Sequence, residues 1–156
     1  MNNQDLTATI VVDQTPKEAF DAILNIKKWW SENIEGETSK IGDEFTYSAK
    51  TLHRCRMKLI EATPDEKIAW EVIENYFSFT KDQTEWIGTK ITFDITPEGD
   101  KTKIRFTHVG LIPGHECYKV CEGAWTDYIT NSLYSLLITG TGYPNSKECE
   151  EEAAAL

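Results

Sequence analysis

The sequence predicts an α+β domain in which a curved antiparallel sheet of about six strands wraps around one long C-terminal helix. Three observations carry this expectation. Between residues 42 and 109 apolar and polar residues alternate with a period of two, in segments joined by short turns, which favours a meander with one covered and one wet face. Residues 113–140, PGHECYKVCEGAWTDYITNSLYSLLITG, read as a single helix that starts after Pro113 and Gly114 and stops at Gly140. Ahead of both lies a β-branched strand followed at once by a short capped helix, so the order is strand, helix, strands, helix.

The opening strand is 6–12, LTATIVV. Thr15 then suits an N-cap, Pro16 the first helical position, and Glu18 completes a capping box. The helix KEAFDAIL has Ala19, Phe20, Ile23 and Leu24 on one face and runs out at Trp29 and Trp30. In 42–49, Phe45 and Tyr47 share a face. In 52–60, His53, Cys55, Met57 and Leu59 alternate with Arg54, Arg56 and Lys58, a half-buried strand by period. After the turn Thr63–Glu66, residues 67–73 place Ile68, Trp70 and Val72 together. Residues 74–86 are less regular and fit an extension of two strands around a polar tip at 81–83. In 87–96, Ile87, Ile91, Phe93 and Ile95 face one way, before a turn at Pro97–Asp100. In 101–109, Ile104, Phe106 and His108 oppose Lys103, Arg105 and Thr107, so His108 belongs to the core side.

At about 100° per residue, the last helix gathers Cys117, Tyr118, Cys121, Trp125, Tyr128, Ile129, Ser132 and Leu136 on one stripe. Its N-terminal half is chemically mixed, with two thiols, an indole and phenols, where a simple plug would use aliphatic residues throughout. Beyond Gly140 the chain ends in an acidic tail, 145–156, expected to lie outside the domain of residues 1–144.

The 156 residues carry a formal net charge of -10, which opposes binding to nucleic acid and to anionic membranes. The N-terminus has no basic segment leading into an apolar run, and no stretch approaches the roughly 18 apolar residues of a membrane span. The four cysteines match no disulfide scaffold, so the expectation is a cytoplasmic protein with reduced thiols.

Two constellations stand out. The first is aromatic: Trp29, Trp30, Phe45, Tyr47, Trp70, Phe77, Phe79, Trp86, Phe106, Trp125 and Tyr128; such rings build ordinary cores and also pockets that are apolar yet fix an orientation. The second is a set of soft ligands, His53, Cys55, His108, Cys117 and Cys121. Cysteine and neutral histidine suit zinc, and Cys117 or Cys121 beside His108 suits a nucleophile and base. No CxxC or HExxH accompanies them, and buried cysteine is usually a small hydrophobe. No metal, cofactor or catalytic residue is therefore assigned; the leading reading is of a binding protein, with an enzyme or metal site on this His/Cys set as an alternative. Arg54, Arg56 and Lys58 read as a solvated strand face.

The segments TIVVDQTPKEAFDAI, the tryptophan pair with GDEFTYSA, EWIGTKITFDI, and FTHVGLIPGHECYKVCEGAWTDYITNSLYSLL resemble the START-like, or SRPBCC, superfamily over residues 6–143. Within it, the chain is similar to proteins related to the C-terminal domain of the Hsp90 ATPase activator Aha1. The resemblance implies the helix-grip fold of Bet v 1, with a cavity between sheet and helix that holds apolar molecules in many members. It implies one of two partners: a small apolar or aromatic molecule, or a chaperone. The residues expected to line the ligand site are Trp29, Trp30, Phe45, Tyr47, His53, Trp70, Phe77, Trp86, Phe106, His108, Cys117, Cys121, Trp125 and Tyr128. Any interior function is expected in the Cys117–Tyr128 half of the helix, with Ser132–Leu137 serving for packing.

Overall fold

The computed structural model describes residues 6–31, 34–49, 53–77, 87–110 and 118–144. They form a sheet of seven strands: β1 (Leu6–Val12), β2 (Ile34–Gly36), β3 (Glu44–Ala49), β4 (His53–Thr63), β5 (Lys67–Phe77), β6 (Lys90–Glu98) and β7 (Lys101–Val109). The order across the sheet is β1-β7-β6-β5-β4-β3-β2, and every neighbouring pair is antiparallel. The expected α+β helix-grip architecture is therefore present, with one strand more than expected. The additional strand is β2, whose three residues are too few to show any period. Its Gly36 has φ +111°, and a Cβ there would collide with the Glu44 carbonyl across the ladder.

Helix α1 (Pro16–Leu24) begins with the expected capping box, Glu18 N–H donating to Thr15 Oγ1 at 3.1 Å and Thr15 N–H to Glu18 Oε1 at 3.0 Å. Ala19, Phe20 and Ile23 are buried against the sheet. A 3-10 turn, Ile26–Lys28, then delivers Trp29 and Trp30 into the interior, where both are essentially inaccessible.

Two β-bulges bend the long central strands. The register passes from Arg56↔Glu74 to Met57↔Val72, leaving Ile73 unopposed, and from Leu59↔Trp70 to Glu61↔Ala69, leaving Ile60 unopposed. Each bulge sharpens the local bend and also changes which residues point inward. On β5 the inward set passes from Trp70 and Val72 to Asn75, which is buried opposite Cys55.

Two expectations are corrected in β6. It begins at Lys90, so Ile87 lies in a turn and is 47% exposed. Pro97 lies within the strand, opposite Thr102, and the turn is confined to Gly99 and Asp100.

The C-terminal helix runs as α2 (Tyr118–Asp127), a π-helical turn (Tyr128–Leu133) and α3 (Tyr134–Thr139). It stops as expected at Gly140, in the left-handed region with φ 85°, whose N–H bonds the Leu136 carbonyl at 2.9 Å. Within the loosened stretch the Thr130 hydroxyl takes the Thr126 carbonyl at 2.6 Å, competing with the backbone ladder. The π turn corrects the expected stripe. Cys121, Trp125, Ile129 and Ser132 are buried as expected, but Leu133 and Leu137 then face the core while Leu136 is only half-buried. The helix start at 113–117, the polar tip at 81–83 and the acidic tail lie outside the described residues. Among the described residues no helix is long and apolar enough to cross a membrane.

Candidate functional site

The interior divides along the strands into two chemically different ends. At one end, where the β4–β5 and β6–β7 turns close the sheet, Ile68, Ile95 and Ile104 line the floor, and Ile23 and Leu137 belong to the same core cluster. Three buried hydroxyls away from the opposite end each hold a backbone carbonyl. Ser132 Oγ donates to Trp29 O at 2.6 Å, Ser135 Oγ to Thr141 O at 2.7 Å, and Thr102 Oγ1 to Gln14 O at 2.7 Å. These hydroxyls have structural roles.

The opposite end is where β4 starts, β5 and β7 stop and α2 begins. Here Tyr47, Cys55 and Asn75 occupy one cross-strand row of β3, β4 and β5, all buried. Across the grip, His108 Nε2 and Thr89 Oγ1 lie 2.8 Å apart, and both residues are buried. Between these groups stands an aromatic array. Trp30 stacks on Tyr47 at 4.8 Å and meets Trp125 at 5.2 Å and Tyr128 at 6.3 Å. Trp125 contacts Phe106 at 4.8 Å, Tyr128 at 5.8 Å and His108, edge to face, at 6.1 Å. Tyr128 is only half-buried, so it connects the array to the surface.

The expected site residues thus separate into groups. Trp30, Tyr47, Phe106, His108, Cys121, Trp125 and Tyr128 belong to the mixed end. Trp29, Phe45 and Trp70 pack deeper, with Trp29 Nε1 donating to Ile23 O at 3.2 Å and Trp70 wedged between Phe45 at 5.4 Å and Phe93 at 5.3 Å. His53 and Phe77 are placed by backbone register, opposite one another at the mixed end. Trp86, Phe79 and Cys117 lie outside the described residues. Asn75 and Thr89 were not singled out from sequence. The first is hidden by the bulge, and the second sits just outside a strand, where no alternation marks it.

Of the soft-ligand set, Cys55, His108 and Cys121 have described side chains, and among the described residues no three His, Cys, Asp or Glu side chains are grouped to hold an ion. Cys55 and Cys121 are free thiols and buried. Burial pushes the Cys55 thiol far above its ordinary value, with the Tyr47 backbone offsetting only part of this, so Cys55 is a neutral hydrophobe at physiological pH. His108 directs Nε2 to the Thr89 hydroxyl and packs its ring on Trp125. Among the clefts walled by described residues, one of about 180 Å³ opens on the outer side of the sheet at Thr46, Arg54, Arg56 and Glu74 and reaches Cys55 and Asn75 of the buried row, and a wider one of about 640 Å³ separates the 3-10 turn from Gly140–Pro144.

Solved structures share this architecture. The Aha1 dimer from Colwellia psychrerythraea superposes with a TM-score of 0.71 at 21% identity, over 88% of this chain and 98% of that one. MLL2253 from Mesorhizobium loti gives 0.66 at 15% identity, over 88% and 99% of the two chains. DynU16, a protein of the dynemicin biosynthetic locus, gives 0.65 at 11% identity, over 94% of this chain and 52% of that one. At such identities these likenesses establish the fold alone. No curated protein sequence matches the chain. A family model does match, across residues 13–137, from the capping box through the π turn into the last helical segment. On that match, which takes in the aromatic array and the His108–Thr89 pair, the chain belongs to the family described as Activator of Hsp90 ATPase homolog 1-like protein.

Proposed function

We propose that the protein binds a small apolar or aromatic molecule carrying a hydrogen-bonding group, at the mixed end of the interior. Family membership supports a binding module, for a ligand or for a protein partner. The observation that carries the ligand reading is the segregation of side-chain chemistry. Burying polar groups costs free energy that an aliphatic core avoids, and the other buried hydroxyls described above are used to hold backbone carbonyls. At the mixed end His108, Thr89 and Asn75 are collected beside indoles and phenols, which offer apolar area with polar tips. Trp30, Trp125 and Phe106 would supply contact area. His108, Thr89 and Asn75 would supply direction. Since the rings already touch, a ligand enters beside half-buried Tyr128 and displaces it. With Cys55 and Cys121 unpaired, we place this activity in the cytoplasm.

The test is a titration with 2-naphthol followed by the indole N–H resonances. Those of Trp30 and Trp125 should move, while that of Trp29, tied to Ile23 O at the other end, should stay. A saturating titration that moves all three equally, or none, removes the proposal. The second reading is a protein module of Hsp90 co-chaperone type, supported by the family. It predicts a complex with the chaperone and a changed ATPase rate.

A further inference from the structure

The two edges of the sheet are built differently. β2, at one edge, is three residues long, carries Glu35 and ends at Gly36 with φ +111°. Short, charged strands are one way in which monomeric proteins keep an edge from pairing. β1, at the other edge, has none of these features. It runs for seven residues, LTATIVV, with no charge, no proline and no glycine. Its register with β7 is unbroken from Leu6↔His108 to Val12↔Thr102, so no bulge twists the edge away. Among the described residues, no hydrogen bond beyond the β7 ladder engages the backbone of residues 6–12. The outward side chains of the strand, Thr7, Thr9 and Val11, are exposed.

The surface beside this edge is apolar as well. α3 and the π turn pack on β1, whereas α1 packs inboard, on β6, β7 and α3. Leu136 lines the groove between α3 and α1. At about 100° per residue, Tyr134 and Ile138 lie on the other flank of the helix, the one that overhangs the free edge, and they are 37% and 44% exposed.

We propose that a second copy of this chain pairs its β1 antiparallel with this one, across a two-fold axis at Thr9, joining the two sheets into one. Three observations favour a copy over a foreign strand. Centred on Thr9, the strand complements itself: Thr7 opposes Val11, Ala8 opposes Ile10 and Leu6 opposes Val12, so outward residues meet outward ones and inward residues meet inward ones. That parity keeps both helices on one side of the joined sheet, where they run antiparallel and each covers the other's overhanging flank. A foreign strand would satisfy the edge and leave Tyr134 and Ile138 bare. Finally, a net charge of -10 opposes self-association, and β1 is an edge on which two copies meet with no carboxylate on either pairing strand. The first described carboxylate beyond it, Asp13, is tied to Lys101 at 3.3 Å. The edge lies outside the interior array, so the inference does not depend on the ligand reading.

The experiment is sedimentation equilibrium on the intact chain and on Thr9→Lys, Thr9→Glu and Thr96→Lys. The intact chain should sediment as a dimer, at twice 17.8 kDa. Thr9→Lys sets like charges opposite each other at the axis, with Arg105 beside each, and should weaken the dimer about tenfold or more, even though it lowers the net charge. Thr96→Lys makes the same change of charge on the same outer face, two strands in from the edge, and should shift the dissociation constant less than about twofold. Mixing Thr9→Lys with Thr9→Glu should restore the dimer, because Lys then faces Glu across the axis. Both positions are exposed, so the circular dichroism of each variant should match that of the intact chain. A monomeric intact chain overturns the proposal, as do equal losses in Thr9→Lys and Thr96→Lys, or a mixture that stays monomeric. A dimer that Thr9→Lys leaves intact overturns it too, because the copies then meet on another surface.

Discussion

Ser132→Ala tests how the C-terminal helix is fastened to the rest of the molecule. Ser132 lies in the π turn, fully buried, and its hydroxyl makes two bonds at once. Oγ donates to the Trp29 carbonyl at 2.6 Å and accepts the Tyr143 N–H at 2.8 Å. One side chain thus joins the helix, the turn that delivers the tryptophan pair, and the segment beyond Gly140. The alanine variant leaves the buried Trp29 carbonyl without this donor, a cost of about 1–3 kcal/mol, and the less buried Tyr143 N–H without its acceptor, about 0.5–1 kcal/mol. The expected total is about 2–3 kcal/mol, or a fall of roughly 5–10 °C in Tm for a domain of this size. Ser135→Ala is the control. It removes a hydroxyl bonded to Thr141 O at 2.7 Å but only part-buried, so it should cost about 1 kcal/mol or less. Urea unfolding followed by tryptophan fluorescence measures both. A Ser132→Ala loss under about 0.5 kcal/mol, or no larger than that of Ser135→Ala, would refute the fastening role.

Two further outcomes follow from local chemistry. Thr15→Ala removes the acceptor of the Glu18 N–H and should destabilise the fold by about 1 kcal/mol, whereas Thr15→Ser should stay within a few tenths; equal losses would show that the cap is not the cause. For Cys55 the folded thiol is raised above its unfolded value of about 8.5. Its stabilising contribution is then complete below about pH 8 and declines at higher pH, at up to about 1.4 kcal/mol per pH unit, as the unfolded thiol ionises. The difference in stability between the parent and Cys55→Ala should therefore shrink from pH 8 to pH 10. A constant difference would mean that Cys55 is not held neutral.

Residues whose role is local were legible in the sequence. The capping box at Thr15 and Glu18, the stop at Gly140 and the inward placing of Phe45, Tyr47, Phe106 and His108 all follow from spacing within one element. Where the backbone inserts a residue, that logic fails. A strict period carries Trp70 and Val72 forward to Glu74, but the bulge at Ile73 places Asn75 inside instead. A uniform helical turn carries Ser132 forward to Leu136, but the π turn brings in Leu133 and Leu137. The segregation of polar from aliphatic interior was only half visible, because Cys121, Trp125 and Tyr128 are read from one helix while Asn75 and Thr89 depend on register between distant strands.

The same alternation that assigns the interior also bears on the outer surface. On β4, Cys55 and Met57 are buried while Arg54, Arg56 and Lys58 point out, so a slip of one residue would bury three cations. Each would cost several kcal/mol, and a row of cations on that strand therefore has a structural use in holding the register. That use explains Arg56 and Lys58, which stand between carboxylates and add little charge to the surface once neutralised. It covers Arg54 as well, which alternates with the same buried residues. Any polar residue there would resist inward rotation, and Ser48 beside it carries no charge to balance. Holding the register requires polarity at that position, and the Arg54 guanidinium supplies it on the wall of a cleft that Glu74 also lines.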